Sequence, residues 1–114
     1  MTRPTAARRL RTKAMTENYR GFHLCGYAEP QSDTLMGQIN QWMPSGSIDY
    51  IRRNNSVVDL TRFRFTAMTF DNEVVARWFG LEIARILLDS SYREFAIARY
   101  ETEKQFIKHR ELSR

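Results

Sequence analysis

The stretch that most restricts how this chain can fold runs from Val57 to Asp89, VVDLTRFRFTAMTFDNEVVARWFGLEIARILLD. Its first part alternates. Phe63, Phe65 and Ala67 fall on one side, and Arg62, Arg64 and Thr66 on the other. Period 2 over such a length describes a half-buried strand. Burying an unpaired guanidinium is costly, so the phenylalanines face the core and the arginines face water. The alternation blurs at Met68-Thr69-Phe70, where a bulge or the strand end fits.

The second part has helical spacing. Asp71 or Asn72 can cap it, and Glu73 favours the positive end of the helix dipole. Val75, Phe79, Ile83, Ile86 and Leu87 make an apolar stripe, which Val74, Trp78 and Leu81 widen. Arg77, Glu82 and Arg85 take the remaining face. This spacing predicts Trp78 and Phe79 in the core. Gly80 costs about 1 kcal/mol against alanine inside a helix, and a close packing contact would account for it.

The other segments are read around this unit. Tyr19 to Tyr27 predicts a first strand, with Phe22, Leu24 and Gly26 on one side and His23, Cys25 and Tyr27 on the other. Ala28-Glu29-Pro30-Gln31 ends it. Ser32 or Asp33 then caps a predicted helix carrying Leu35, Met36, Ile39, Trp42 and Met43, closed by Pro44-Ser45-Gly46. Ser47 to Arg52 predicts a short strand. Arg53-Asn54-Asn55-Ser56 is a polar turn that makes a hairpin with the long strand.

The C-terminal segment supports two readings. Ser91-Tyr92-Arg93-Glu94 matches a capping box and introduces good helix formers, predicting a helix from Tyr92 towards Leu112. Phe95-Ala96-Ile97-Ala98 also fits a fourth strand. The fold class is therefore α+β: an antiparallel sheet of three or four strands with helices on one face. The order is either the ferredoxin-like βαββαβ or βαββαα with a C-terminal helix. The other sheet face would carry His23, Cys25, Tyr27, Asp49, Arg62, Arg64 and Thr66.

A length of 114 residues suits one domain with one modest core. The net charge of +5 is unevenly placed. Arg3, Arg8, Arg9, Arg11, Lys13 and Arg20 face Glu17 alone in the first twenty residues, whereas the remaining twelve bases meet twelve acids. Residues 1–14 read as a flexible basic arm, and residues 15–114 as a single domain with a polar segment from about 101. The arm has three readings: a phosphate-seeking tail, a targeting segment, or a consequence of start-site choice, Met15-Thr16 repeating Met1-Thr2. No apolar run reaches the length of a membrane span, so no membrane partner is expected. The single cysteine, Cys25, excludes an internal disulfide and fits a reducing, cytoplasmic setting.

Chemistry-bearing motifs are scarce. Phe63-x-Phe65 invites comparison with the base-stacking strand of RNA-recognition domains. The phase opposes it, because exposing those rings would send Arg62 and Arg64 inward. His23, Cys25 and His109 fall short of the four ligands of a structural zinc site, and Cys25 has no identifiable catalytic partner. Phosphate loops, GxSxG and HExxH are absent. No catalytic residue, metal or cofactor is therefore assigned.

Two functions are expected from different classes. The first is a small non-enzymatic interaction or regulatory protein, of the kind found as viral or mobile-element accessory or inhibitor proteins. It would bind another protein through Tyr27, Arg62, Arg64 and Tyr100. The alternative is a nucleic-acid binder using Arg8, Arg9, Arg11, Lys13, Arg52, Arg53, Arg62 and Arg64.

Overall fold

The structure, a computed structural model, describes residues 14–33 and 38–112. Residues 1–13 of the basic arm therefore lie outside the described residues, with Arg8, Arg9, Arg11 and Lys13. Four strands form among the described residues: β1 (Met15–Tyr19), β2 (Phe22–Asp33), β3 (Gln38–Ile51) and β4 (Val57–Arg64). They make an antiparallel sheet in the order β1-β2-β3-β4, leaving β1 and β4 at the edges. Two helices follow, α1 (Glu73–Ser90) and α2 (Tyr92–Leu112). The class is α+β, with the helices on one face of the sheet.

The element order is ββββαα, which corrects three local expectations. First, Tyr19–Tyr27 is two strands. Arg20 and Gly21 both take positive φ, 52° and 85°, the two-residue turn whose twist matches a hairpin. Second, Ala28–Gln31 does not break β2, which continues to Asp33. Third, the predicted helix ending at Pro44 is the first half of β3. Leu35 and Met36 lie outside the described residues, but Trp42 and Met43 pair with Pro30 and Glu29 as strand.

Proline is unusual in a central strand because it cannot donate to the ladder. Here the Trp42 N–H bonds Phe70 and the Pro44 carbonyl accepts from the Phe65 N–H, both on the β4 side. Pro44 thus turns the side that lacks a donor towards the end of β4, past the last ladder pair, Ser45 with Arg64. Of the two readings of the C-terminal segment, Tyr92–Leu112 takes the helical one, and the fourth strand comes from the N-terminal hairpin.

Phe22 and Leu24 of β2, Ile48 and Tyr50 of β3, and Leu81, Ala84 and Leu88 of α1 form the core. Phe63 packs against it while the Arg62 and Arg64 side chains are 75% and 62% exposed. The arginines are outward and the phenylalanines inward, as the alternation requires. At Leu60 the β3–β4 register slips by one residue: Asp49 faces Asp59, but Ile48 faces Thr61. The extra residue, Leu60, still packs against the core.

Asn72 caps α1, its side-chain oxygen accepting from the Val75 N–H at 3.1 Å. The buried face of α1 is not the predicted stripe. Ala76, Gly80, Leu81, Ala84 and Leu88 are buried, whereas Trp78 is 52% exposed and Val75 and Ile86 are also exposed. Close approach decides the rotation. A Cβ on Gly26 would lie 2.2 Å from the Arg77 carbonyl oxygen, and one on Gly80 would lie 2.2 Å from the Ser45 carbonyl oxygen. Small residues on both partners let helix backbone touch sheet backbone. Phe79 is partly covered and packs on Phe65 and Phe70.

Polar and aromatic contacts at the sheet end hold α2. Tyr92 and Phe95 pack edge-on to Phe22, at 6.0 and 6.4 Å between ring centroids. Glu103 accepts from the Tyr50 hydroxyl at 2.8 Å and from Arg52 Nε at 2.9 Å. Arg99 donates to the Gly21 carbonyl at 2.9 Å.

Candidate functional site on the open sheet face

The face of the sheet opposite the helices carries three cross-strand rows, set by the registers of β2, β3 and β4. Tyr27, Ser45 and Arg64 make one row; Cys25, Ser47 and Arg62 the next; His23, Asp49 and Asp59 the third. Tyr27, Arg62 and Arg64, read from the sequence as partner-binding residues, therefore share a surface. Tyr100 does not. It is 64% exposed on α2, whose neighbours are core-face residues of the sheet.

Small side chains at the middle of this face are buried although the helices lie on the other side. Cys25, Ser45, Ser47 and Asp49 all have little solvent contact. Longer neighbours rim them. Tyr27 lies beside Cys25 and Ser47, and burial pushes both its phenol and the Cys25 thiol up from their usual ranges. A thiol held protonated is a poor nucleophile. His23 bonds the Asn18 side chain at 3.1 Å and makes no pair with Cys25.

Both arginines of the face are matched by carboxylates. Arg62 pairs with Asp59 at 2.9 Å, and Arg64 pairs with Glu29 at 2.9 Å. Of the other residues in the nucleic-acid reading, Arg52 is tied to Glu103 and stacks over Phe106 at 4.0 Å, while Arg53 sits in the exposed β3–β4 turn.

The feature that the sequence reading missed is the Asp49–Asp59 pair. Asp49 is 4% exposed. Its Oδ2 accepts from Ser47 Oγ at 3.2 Å and lies 3.9 Å from Cys25 Sγ, while Oδ1 meets no N–H or neutral O–H donor. Burial, together with the hydrogen bond and negative charge of Asp59, pushes the Asp49 carboxyl up to about 7. The same hydrogen bond, helped by Arg62, holds Asp59 below the usual carboxylate range. One proton shared from Asp49 to ionised Asp59 explains both directions. Counting outward from the Arg53–Ser56 turn sets Asp49 against Leu60; the hairpin instead closes with the Arg52 N–H bonded to the Ser56 carbonyl, which sets Asp49 against Asp59.

Among the described residues, no group of three or more His, Cys, Asp or Glu side chains is placed to hold a metal ion. An open groove of about 300 Å³ lies on the helix side, lined by Leu60, Thr61, Leu87, Ser91, Glu94, Phe95 and Ala98. None of the sheet-face rows reaches it. No described helix is long and apolar enough to cross a membrane. Comparison with family models, with curated proteins and with solved structures finds no match to this chain.

Proposed function

We propose that this chain is a small non-enzymatic binding protein whose open sheet face docks another protein in a regulatory or inhibitory role. The observation that carries this reading is the charge matching around Tyr27. Arg62 and Arg64 each already hold a carboxylate, so the face offers alternating, neutralised charge around a half-buried aromatic ring. Such a mixed polar rim with an aromatic suits a protein surface. A phosphate backbone is bound by cations free to replace its counterions, and the matched face supplies few. The raised Cys25 thiol also argues against thiolate chemistry here.

The test compares the full chain with a Tyr27→Ala/Arg62→Glu/Arg64→Glu variant as baits in the same extract, with nuclease treatment of both. A protein retained by the wild type after nuclease and lost by the variant supports the reading. Binding of duplex or single-stranded nucleic acid that falls steeply with salt would replace it with the nucleic-acid alternative. Identical captures by both baits would remove the sheet face from consideration.

A further inference from the structure

The outer edge of β4 is a second surface, distinct from the sheet face. Among the described residues β4 is the last strand of the sheet and pairs on one side only, with β3. Along an antiparallel ladder the backbone groups of successive residues turn to opposite sides. The Phe65 N–H bonds the Pro44 carbonyl, so Arg62 and Arg64 turn their own N–H and C=O groups away from β3. At the other end the Ser56 carbonyl accepts from the Arg52 N–H, so Val57 and Asp59 turn away as well. Between the two halves the extra residue Leu60 lengthens the step by one. The outward positions are thus 57, 59, 62 and 64, a spacing that reads the same in both directions. An antiparallel neighbour has to offer its own groups at that spacing, irregular step included. A regular strand does not; β4 turned end for end does.

We propose that the occupant of this edge is β4 of a second copy of the same chain, joined antiparallel about a two-fold axis between Leu60 and Thr61. Val57 then faces Arg64 of the other copy, and Asp59 faces Arg62, each pair exchanging N–H···O bonds in both directions. The side-chain faces agree. Asp59 and Arg62 lie on the open face, opposite Asp49 and Ser47, whereas Val58, Leu60 and Phe63 pack against the core and Thr61 lies opposite Ile48. The register sets Val58 beside Phe63 and Leu60 beside Thr61. The charges select the same register. Asp59 and Arg62 already pair within the chain at 2.9 Å, with side chains 45% and 75% exposed. Across the axis the four groups alternate in sign, each carboxylate standing between its own guanidinium and the one opposite, with like charges only on the diagonals. Sliding the strands by two residues sets Asp59 or Arg62 opposite Leu60 or Thr61 and breaks both matches. The groove beside β4 opens at Leu60 and Thr61, where the axis passes, so the two grooves meet there. Glu94, which lines the groove, approaches its counterpart across the axis. It is exposed, so water screens that approach and it weakens the dimer without changing the register.

So short an interface makes a weak, reversible dimer, with a Kd on the order of 10–100 µM. Sedimentation equilibrium of the full chain over a concentration series measures it. Arg62→Glu sets a carboxylate opposite Asp59 on both sides of the axis and weakens the dimer roughly tenfold. Cross-linking reads the register. Val57→Cys and Arg64→Cys chains, mixed in equal amounts and oxidised, form a disulfide-linked dimer, because residues facing each other in a hydrogen-bonded pair lie about 5.5 Å apart at Cα. Neither variant cross-links alone, since its two new cysteines sit at opposite ends of the pairing and Cys25 is buried. Residues 57, 62 and 64 are all exposed, and unchanged far-UV circular dichroism verifies that each variant is folded. A full chain that stays monomeric up to about 1 mM would leave the edge to a strand of some other protein and overturn the proposal. A dimer that cross-links as readily in the single variants as in the mixture, or in neither, would overturn it too, because the copies would then meet in another register or at another surface.

Discussion

The two helices hold the same sheet by opposite means. α1 lies on it through backbone proximity: Gly80 touches the Ser45 carbonyl, Gly26 lies under Arg77 and Leu81, and Ala76 and Ala84 are fully buried between them. Its larger side chains, Trp78 and Ile86, point elsewhere. α2 reaches the sheet end through long side chains: the Glu103 clasp to Tyr50 and Arg52, Arg99 to Gly21, and Phe95 against Phe22. The α1 contact has no slack, because close-packed backbone cannot yield to added atoms. The α2 contact is adjustable, since ion pairs and rotamers near water exchange with solvent. α1 is accordingly the structural helix, and α2 is the helix free to be moved or used.

The contrast breaks most severely at the glycines. Gly80→Ala places a Cβ 2.2 Å from a carbonyl oxygen of the central sheet, and Gly26→Ala does the same against α1. Alanine improves helix propensity by about 1 kcal/mol, so the propensity scale alone predicts that Gly80→Ala stabilises. The packing predicts the reverse, a net loss of about 3 kcal/mol or more as α1 lifts off the sheet. Urea denaturation at neutral pH decides the sign. A stabilised Gly80→Ala protein would mean that α1 rides on its side chains after all.

The same residues show where sequence reading succeeds and where it stops. Phe63 and Arg62 assign themselves to opposite faces, because a guanidinium cannot be buried alone, and Asn72 announces a cap through local chemistry. The rotation of α1 is not legible in this way. Apolar periodicity weights Trp78 and Ile86, whereas the geometry is decided by the absence of atoms at Gly80 and Gly26. Pro44 misleads for a related reason. It lies in β3 just past the last pair with β4, and where β4 ends is a fact about another segment. The Arg20-Gly21 turn lacks the asparagine that would advertise it. At the candidate site, alternation puts Tyr27, Arg62 and Arg64 together, but the Asp49–Asp59 pair needs the hairpin register as well.

The open face yields the next effect in size, and its sign distinguishes it from the helix-covered face. A carboxyl raised to about 7 in the folded chain binds its proton more tightly than in the unfolded chain. Its contribution is complete below the unfolded value near 4 and is lost as pH rises towards 7, a fall of about 2–4 kcal/mol. Asp59 and Asp89, both held low, work in the other direction and weaken the fold as pH drops below 4. Stability therefore peaks on the acid side of neutrality. Asp49→Asn keeps the hydrogen bond to Asp59 without the titration, so it flattens the curve between pH 4 and 8 and is the more stable protein at pH 8. A wild-type curve that rises across that interval would show that Asp49 is ionised throughout.

The clasp on α2 should separate local from global stability. Glu103→Gln keeps a group able to accept from Tyr50 but removes the charge that Arg52 meets. Native-state hydrogen exchange is expected to show faster exchange along α2, with α1 and the central strands unchanged. Equal acceleration in both helices would show that they open as one unit and that the division between them is wrong.

The smallest effect is the most discriminating for α1. Trp78 is the bulkiest side chain on that helix, and the periodicity of the sequence places it in the core. Loss of a core tryptophan costs about 3–5 kcal/mol. With half of its surface in water, Trp78→Ser should change unfolding free energy by no more than about 0.5 kcal/mol beyond its helix-propensity cost. Tryptophan fluorescence offers a second measure, because Trp42 and Trp78 are the two emitters in the chain. Trp42 is only partly accessible, so the Trp78→Ser protein should emit to the blue of wild type and resist iodide quenching. A red shift, or a loss of several kcal/mol, would return Trp78 to the interior. It would also show that α1 turns its large residues to the sheet and its glycine to solvent, which the 2.2 Å approach of Gly80 to Ser45 does not allow.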